Sequence, residues 1–145
     1  LYKMTNKVVL VTGGFDPLHR GHIEYLLAAR KLGDILVVGV NSDAWLVRKK
    51  GRAFMPSIDR VAILENLRMV DHCVLFDDSD DSAIRAIQNV KLLYPAGQII
   101  VANGGDRTRD NIPELSEPDV TFVFGVGGTT KSNSSSWLLD KWKSN

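Results

Sequence analysis

Cysteine is almost missing from this chain of 145 residues, since Cys73 is the only one. A single thiol excludes an intrachain disulfide, so the composition favours a reducing compartment. Cys73 lies in an apolar run from Val70 to Phe76. We therefore expect a buried structural thiol rather than a reactive one.

An excess of charge of either sign is also missing. The chain has 18 Lys and Arg residues against 17 Asp and Glu residues, and its formal net charge is +1. The densest basic stretch is short and local, and consists of Arg48, Lys49, Lys50 and Arg52. This balance excludes the broad basic surface of a duplex-binding protein, so we expect no nucleic-acid partner.

Long hydrophobic runs are the third absence. No apolar stretch approaches the roughly 20 residues that span a bilayer, and the N-terminus lacks a signal-peptide pattern. We therefore expect a cytoplasmic protein without membrane association. Because Leu1-Tyr2-Lys3 precedes Met4, residues 1–4 are expected to be a cloning remnant or an N-terminal extension, and residues 5–143 one domain.

Short apolar runs alternate with segments of helical period, which is typical of a parallel sheet covered by helices. We predict five strands, at 7–11, 35–40, 72–76, 98–102 and 120–124. The predicted helices cover 21–32 with a stop at Gly33, a short segment capped by Ser42 or Asp43, a segment capped by Ser57, 82–91, and the chain end after the Gly/Ser/Thr-rich stretch 125–136. The predicted fold is one Rossmann-like, doubly wound α/β domain.

The loops after the predicted strands carry the functional signal. In an open parallel sheet, ligands bind beyond the carboxyl ends of the strands. Here these ends lead into glycines, hydroxyls, histidines and carboxylates, at 12–22, 41–43, 103–106 and 125–136. We therefore expect the site at this edge of the sheet.

Two histidines, His19 and His22, stand three residues apart at the predicted start of the first helix. They project from nearly the same face, and the N-terminus of a helix favours an anion through its N–H groups and dipole. A bound triphosphate would receive hydrogen bonds from both imidazoles. The alternatives are a helix start with one buried imidazole, or a metal pair, for which no third ligand has suitable spacing.

Residues 14–22 read G-F-D-P-L-H-R-G-H, which resembles the G-x-F-D-x-x-H-x-G-H signature of the cytidylyltransferase-like nucleotidyltransferases. The resemblance continues, in the order of that family, through Val40–Asp43, Lys50-Gly51, Arg60, Val70-Asp71, Gly104–Asp106 and Ser134–Ser136. The Asn-Ser-Asp and Gly-Gly-Asp elements are most similar to the heptose-1-phosphate adenylyltransferase branch. Cytidylyltransferases carry an arginine at the head of the last motif, whereas this chain has Thr129, Thr130 and Lys131 there.

The resemblance implies roles for named residues. The catalytic set would be His19, His22 and either or both of Lys49 and Lys50. The nucleotide-binding set would be Thr12, Gly13, Gly14, Phe15, Gly21, Asn103, Gly104, Asp106, Ser134, Ser135 and Ser136. Asp16, Asp43, Arg60 and Lys131 would bind the second substrate.

The implied reaction is attack by an acceptor phosphate on the α-phosphorus of ATP, with release of pyrophosphate and with Mg²⁺ held mainly by the substrate phosphates. We expect a sugar-1-phosphate as acceptor, and the alternative is CTP with glycerol-3-phosphate or a similar alcohol phosphate. A homodimer is expected from the family alone. A nucleotide-binding regulatory module without turnover remains a further alternative, as does synthetase-like aminoacyl activation, although no K-M-S-K-S-like element is evident.

Overall fold

A computed structural model describes residues 6–105, 108, 112–128 and 134–144. Its strands are β1 Lys7–Gly13, β2 Ile35–Val40, β3 His72–Leu75, β4 Gln98–Ala102 and β5 Val120–Val123. Its helices are α1 Arg20–Arg30, α2 Asp43–Lys50, α3 Ser57–Leu64, α4 Ile84–Leu93 and α5 Ser135–Lys143, with a short 3-10 helix at Pro113–Ser116. All strand pairs are parallel, in the order β3-β2-β1-β4-β5. The predicted fold class and five-stranded sheet are confirmed.

The central strand β1 is buried on both faces because helices cover the sheet from both sides. Val9 and Val11 join a core cluster with α1 and α3, whereas Val8 and Leu10 join a second cluster with α4. Side chains alternate between the faces of a strand, so this run of β-branched and aliphatic residues fills two cores at once. Chain order reverses between β1 and β4, and this switch point is where an open sheet binds its ligands.

The ends of several elements differ from the prediction. Strand β1 continues to Gly13, α1 begins at Arg20 and α4 runs from Ile84 to Leu93. Helix α1 ends before Gly33, which packs against β1, since a Cβ there would lie 2.7 Å from the carbonyl oxygen of Lys7. Close packing rather than a left-handed cap therefore explains this glycine.

One predicted cap is confirmed and another is wrong. The Ser42 hydroxyl accepts a hydrogen bond from the Trp45 amide at the start of α2. At α3 the N-cap is Pro56, and Ser57 is the first helical residue and makes no side-chain cap. The fixed φ of proline suits a helix entry, which the sequence prediction overlooked. The 3-10 helix at Pro113–Ser116 was missed altogether.

Cys73 is half-buried in β3 and packs against the first core cluster. Burial, with a smaller contribution from Glu65, raises the pKa of its thiol to about 11. The thiolate is therefore scarce at neutral pH, as expected for a structural cysteine. Within the described ranges, no helix is long and apolar enough to cross a bilayer.

Candidate functional site

A cavity of about 530 Å³ opens at the carboxyl ends of β1 and β4. Its lining includes ten of the residues predicted from the sequence: Thr12, His19, Gly21, His22, Lys50, Asn103, Gly104, Ser134, Ser135 and Ser136. These residues are spread over 125 positions of the chain, yet the fold brings them around one space. We call this space the main cavity.

The two histidines cap helix α1 with their own side chains. His19 is the N-cap residue, and its Nδ1 accepts a hydrogen bond of 3.0 Å from the Gly21 amide. The Nδ1 of His22 accepts one of 3.2 Å from the His19 amide, which completes a reciprocal capping box. The rings stack with centroids 3.8 Å apart, and the Phe15 ring packs against His22 in a T-shaped arrangement.

These caps determine which nitrogen of each ring carries the proton. An Nδ1 that accepts a backbone N–H holds a lone pair, so the neutral ring must be protonated at Nε2. Both rings line the main cavity, and Nε2–H is their remaining donor. The Gly21 amide is already bonded to His19, so this one amide of the helix start is not available to an anion.

Both imidazoles are held neutral by their surroundings. Burial lowers the pKa of His22 to about 3, with further contributions from His19 and Lys50. Burial and, secondarily, Lys50 also lower the pKa of His19. A bound polyanion would act in the opposite direction, because opposite charge favours the charged form of a histidine.

The structure separates the two lysines that the sequence left undecided. Lys50 lines the main cavity and is the cation that lowers the pKa of both histidines. The Lys49 ammonium lies 5.8 Å from the centroid of the Trp45 ring and borders a second cavity instead. Lys50 is therefore the lysine of the histidine site.

The start of α5, which is near the C-terminus in sequence, also lines the main cavity. Ser134 caps α5 by accepting from the Trp137 amide at 3.1 Å. The hydroxyl of Ser135, which is buried, donates to the carbonyl oxygen of Pro17 at 2.8 Å. This bond joins the N-terminus of α5 to the loop that precedes the histidines, so two helix starts face one space.

Three residues predicted to wrap the nucleotide lie outside the main cavity lining. Phe15 is buried and packs on His22. A Cβ at Gly13 would lie 3.2 Å from the Phe15 ring, and one at Gly14 would lie 2.9 Å from a methyl group of Leu46. These glycines allow close packing beneath the site, and their contact with nucleotide stays a prediction.

Arg60 was predicted to bind the second substrate, and the structure gives it a different role. Its side chain has no exposed surface. The guanidinium donates to the carbonyl oxygens of Gly14, Asn41 and Met55 and to the carboxylate of Asp43, at 2.6–3.0 Å. Arg60 and Asp43 therefore tie together the loops after β1 and β2 and the loop before α3. The buried guanidinium of Arg60 has its donors occupied by these protein acceptors, whereas the half-exposed carboxylate of Asp43 stays a predicted substrate contact.

Asp16 borders a second cavity of about 490 Å³, which we call the basic cavity. Its buried carboxylate accepts from the Phe54 and Met55 amides at 2.6 and 2.7 Å, so Asp16 positions the wall of this space. The basic cavity is lined by Lys49, Lys50, Arg52 and Lys143, by Asp16 and Asp140, and by Ala53, Phe54, Ser136, Leu139 and Trp142. Lys50 and Ser136 line both cavities.

Sequence reasoning missed part of the main cavity. The lining residues outside the predicted sets are Glu24, Tyr25, Glu114 and Trp137, together with Gly105, Val126, Gly127 and Gly128 from the loops at 103–106 and 125–136 that were expected to border the site. Position in the Gly/Ser/Thr-rich stretch was a usable signal for residues 126–128. Nothing in the sequence pattern pointed to Glu114, because it lies beyond the 103–106 loop in sequence and only the fold brings it to the cavity.

Two predicted residues, Asp106 and Lys131, lie outside the described residues. Among the residues that the structure describes, no group of three or more His, Cys, Asp or Glu side chains could hold a metal ion. The histidine pair is therefore not part of such a group within these ranges.

Comparison with known proteins shows the family to which this chain belongs. A family model described as Cytidylyltransferase-like matches residues 10–120. The bifunctional protein HldE of Geobacter metallireducens is 40% identical over 142 residues, which cover 93% of this chain and 26% of that protein. HldE of Helicobacter pylori strain G27 is 46% identical over 130 residues, covering 87% of this chain and 26% of the relative. The chain spans about a quarter of the length of these curated relatives.

Solved structures give the same picture of the fold. The lipopolysaccharide core biosynthesis protein of Thermoplasma volcanium has a TM-score of 0.63 at 28% identity, covering 88% of this chain and 99% of that one. A putative nicotinate-nucleotide adenylyltransferase of Vibrio parahaemolyticus has a TM-score of 0.65 at 12% identity, covering 97% and 88%. At that lower identity the similarity concerns the fold alone.

The hydrogen bonds of Arg60 predict a large stability loss for Arg60→Lys. A lysine cannot reach the three carbonyl oxygens and Asp43 together, so buried acceptors lose their partners at a cost of about 3 kcal/mol in the free energy of unfolding. Urea denaturation measures this loss, with Arg68→Lys at an exposed position as the matched control. A loss as small as that of the control would contradict the role given to Arg60.

The low pKa of His22 predicts that this residue destabilises the protein in mild acid. The pKa is about 3 in the folded protein against an ordinary value of 6.5, so the unfolded chain binds the proton more readily. The contribution of neutral His22 to the free energy of unfolding is complete above pH 6.5 and is lost as pH falls towards 3.

We therefore expect wild type to lose about 1 kcal/mol more per pH unit than His22→Gln between about pH 6 and pH 4.5. Glutamine at this position keeps an acceptor for the helix cap. Urea denaturation at several pH values measures the difference, and His72→Gln at an exposed histidine is the control. Parallel stability curves for wild type and His22→Gln would refute the neutral buried imidazole.

Proposed function

Because this chain belongs to the cytidylyltransferase-like family, we propose that it is a nucleotidyltransferase that transfers AMP from ATP to a sugar-1-phosphate and releases pyrophosphate. The observation that carries the proposal is the histidine pair, whose caps leave both Nε2–H groups as the donors available to the main cavity. The proposal concerns this chain, which matches only part of each longer HldE relative.

The triphosphate would lie between the starts of α1 and α5. Donors and positive charge meet there, from His19, His22, Lys50 and the serines at the α5 N-terminus. A helix N-terminus carries a partial positive charge, so it favours a bound anion. Neutral imidazoles add donors without requiring that a buried charge be kept when the site is empty.

The acceptor phosphate would enter from the basic cavity. Lysines and arginine outnumber its carboxylates, and one of those carboxylates, Asp16, is already bonded to backbone amides. Phe54 and Trp142 offer apolar faces for the body of a sugar. Because Lys50 and Ser136 line both cavities, the α-phosphate would lie beside them, where the two substrates meet.

The reaction would be a direct in-line transfer. An oxygen of the acceptor phosphate forms a bond to the α-phosphorus of ATP, and the bond from that phosphorus to the bridging oxygen of the β-phosphate breaks. Pyrophosphate departs with the electron pair of the broken bond. The Nε2–H groups of His19 and His22 would donate to phosphate oxygens as their charge changes, so positioning and charge stabilisation supply the catalysis.

Magnesium fits this proposal as an ion brought in by the nucleotide. Mg²⁺ keeps several waters and commonly binds through substrate phosphates with few protein carboxylates. The part of the cavity near the histidines offers imidazoles, a lysine and hydroxyls, which suits phosphate oxygens as the main ligands of the ion. When bound, Mg²⁺ would neutralise charge on the departing pyrophosphate.

Pyrophosphate release tests the proposal. The purified chain is assayed with ATP, CTP, GTP and UTP against heptose-1-phosphate, glucose-1-phosphate and glycerol-3-phosphate. We expect turnover with ATP and a sugar-1-phosphate, and a fall in kcat of about 10²–10³ in His22→Gln because a transition-state donor is removed.

His72→Gln, at an exposed histidine on β3, is the control for the same substitution elsewhere. Turnover with CTP and glycerol-3-phosphate instead would favour the alternative substrate pair within the same class of enzyme. Nucleotide binding without pyrophosphate release from any pair would favour a regulatory module and end the enzymatic proposal.

The two lysines predict different kinetic effects. Lys50→Gln removes the cation where the substrates meet, so we expect kcat to fall about 10- to 100-fold, as for a hydrogen bond to a charged group. Lys49→Gln, facing the basic cavity, is expected to raise the KM of the acceptor and to leave that of the nucleotide unchanged. Steady-state kinetics with each substrate varied separate these effects, with Lys31→Gln as the exposed control. Identical profiles for Lys49→Gln and Lys50→Gln would contradict the assignment.

A further inference from the structure

Two polar side chains of the main cavity have buried atoms without partners. Glu114, in the 3-10 helix, is 8% exposed, and its Oε2 has no hydrogen-bond partner among the described residues. The Nδ2 of Asn103, directly after β4, is likewise buried and unpartnered in the described part of the chain. Both residues line the main cavity.

Such atoms are unfavourable in a folded protein unless a ligand uses them. A buried polar group without a partner costs about 1–3 kcal/mol, and more when it carries charge. The outermost torsions of carboxylate and amide groups are broad, and both residues line the cavity, so either group can rotate to meet a ligand there. The pair offers an acceptor from Glu114 and a donor from Asn103.

Backbone hydrogen bonds fix the position of Asn103. The Asn103 amide donates to the Val123 carbonyl at 2.8 Å, and its own carbonyl accepts from Val126 at 3.0 Å. The next residue, Gly104, packs so closely on Tyr25 that a Cβ there would lie 3.0 Å from the ring. Asn103 is therefore held between β5 and the 126–128 segment, and its side chain has a defined place in the cavity.

Charge decides which part of a nucleotide these groups meet. A carboxylate repels phosphates, which belong beside His19, His22 and Lys50. We propose that Glu114 is a specificity residue that accepts a hydrogen bond from the nucleoside part of the bound triphosphate, while Asn103 donates to an adjacent acceptor. This inference rests on the proposed function and deepens it by assigning the end of the cavity that holds the nucleoside.

Two groups of a nucleoside have the required chemistry. The ribose hydroxyls each offer a donor and an acceptor, and the amino edge of adenine or cytosine combines an exocyclic amino donor with a ring-nitrogen acceptor. Both are hydrogen-bond donors to the same carboxylate, so nucleotide analogues that lack one or the other distinguish them.

The test is equilibrium binding to the whole chain by isothermal titration calorimetry, without acceptor present. ATP is compared with 2′-deoxyATP, 3′-deoxyATP and ITP, and CTP with UTP, in wild type, Glu114→Gln and Glu117→Gln. Glu117 lies on the same segment but pairs with Lys91, so it controls for the loss of a carboxylate there.

We expect Glu114→Gln to weaken ATP binding about 10-fold or more. The analogue that lacks the contacted group should bind wild type about 10-fold more weakly than ATP does. In Glu114→Gln the ratio of these two affinities should fall towards 1, because the analogue and the variant remove the two partners of the same hydrogen bond. Deoxy analogues that show the effect identify ribose, and ITP or UTP identifies the amino edge. Glu117→Gln should keep the wild-type ratios.

Stability of the ligand-free protein is a second readout. Because Oε2 of Glu114 has no hydrogen-bond partner among the described residues, Glu114→Gln is expected to leave the urea midpoint unchanged or raised, whereas a structural carboxylate would give a lowered one. Unchanged ATP binding in this variant, equal weakening of all analogues, or a lowered midpoint would each overturn the inference while wild type still binds ATP. Failure of wild type to bind any triphosphate would overturn it together with the proposed function.

Discussion

The reciprocal cap at the start of α1 is the interaction on which the site depends. His19 and His22 each accept a backbone N–H through Nδ1, and this one arrangement begins the helix, stacks the rings and places the proton of each neutral imidazole on Nε2. Ser or Thr with Glu or Gln usually makes a capping box. With two imidazoles instead, the groups that terminate the helix also provide donors to the cavity. In each ring, Nδ1 thus serves the helix cap and Nε2 is left for the proposed chemistry.

The loops around this cap are held by buried polar contacts rather than by apolar packing alone. Arg60 joins the turn after β1 to the turn after β2, and Asp16 fixes the segment that precedes α3. Ser135 then connects α5 to the loop before the histidines. Residues far apart in the chain therefore form two adjoining cavities with a common edge at Lys50 and Ser136. This preorganisation is what a transfer reaction without a covalent intermediate requires.

The sheet and the main cavity were predictable because their signals are local. Strand β1 is a continuous run of β-branched and aliphatic residues that ends in glycines, and the histidine spacing follows it at once. The role of Arg60 was not predictable, since an arginine one turn into a helix looks the same in sequence whether it meets a phosphate or three carbonyl oxygens. Lys49 and Lys50 are adjacent at the end of α2, and only the direction in which each side chain leaves the helix distinguishes them. The place of Glu114 in the main cavity depends on a 3-10 helix that no periodicity in the sequence indicates.

Nitrogen-15 NMR of the histidine side chains tests the central claim most directly. In protein with labelled histidine at about pH 7, our account predicts that His19 and His22 are both neutral with the proton on Nε2, and that addition of ATP with Mg²⁺ shifts their Nε2 resonances while those of His72 stay in place. Rings protonated on Nδ1, or Nε2 signals that do not respond to saturating ATP, would contradict it.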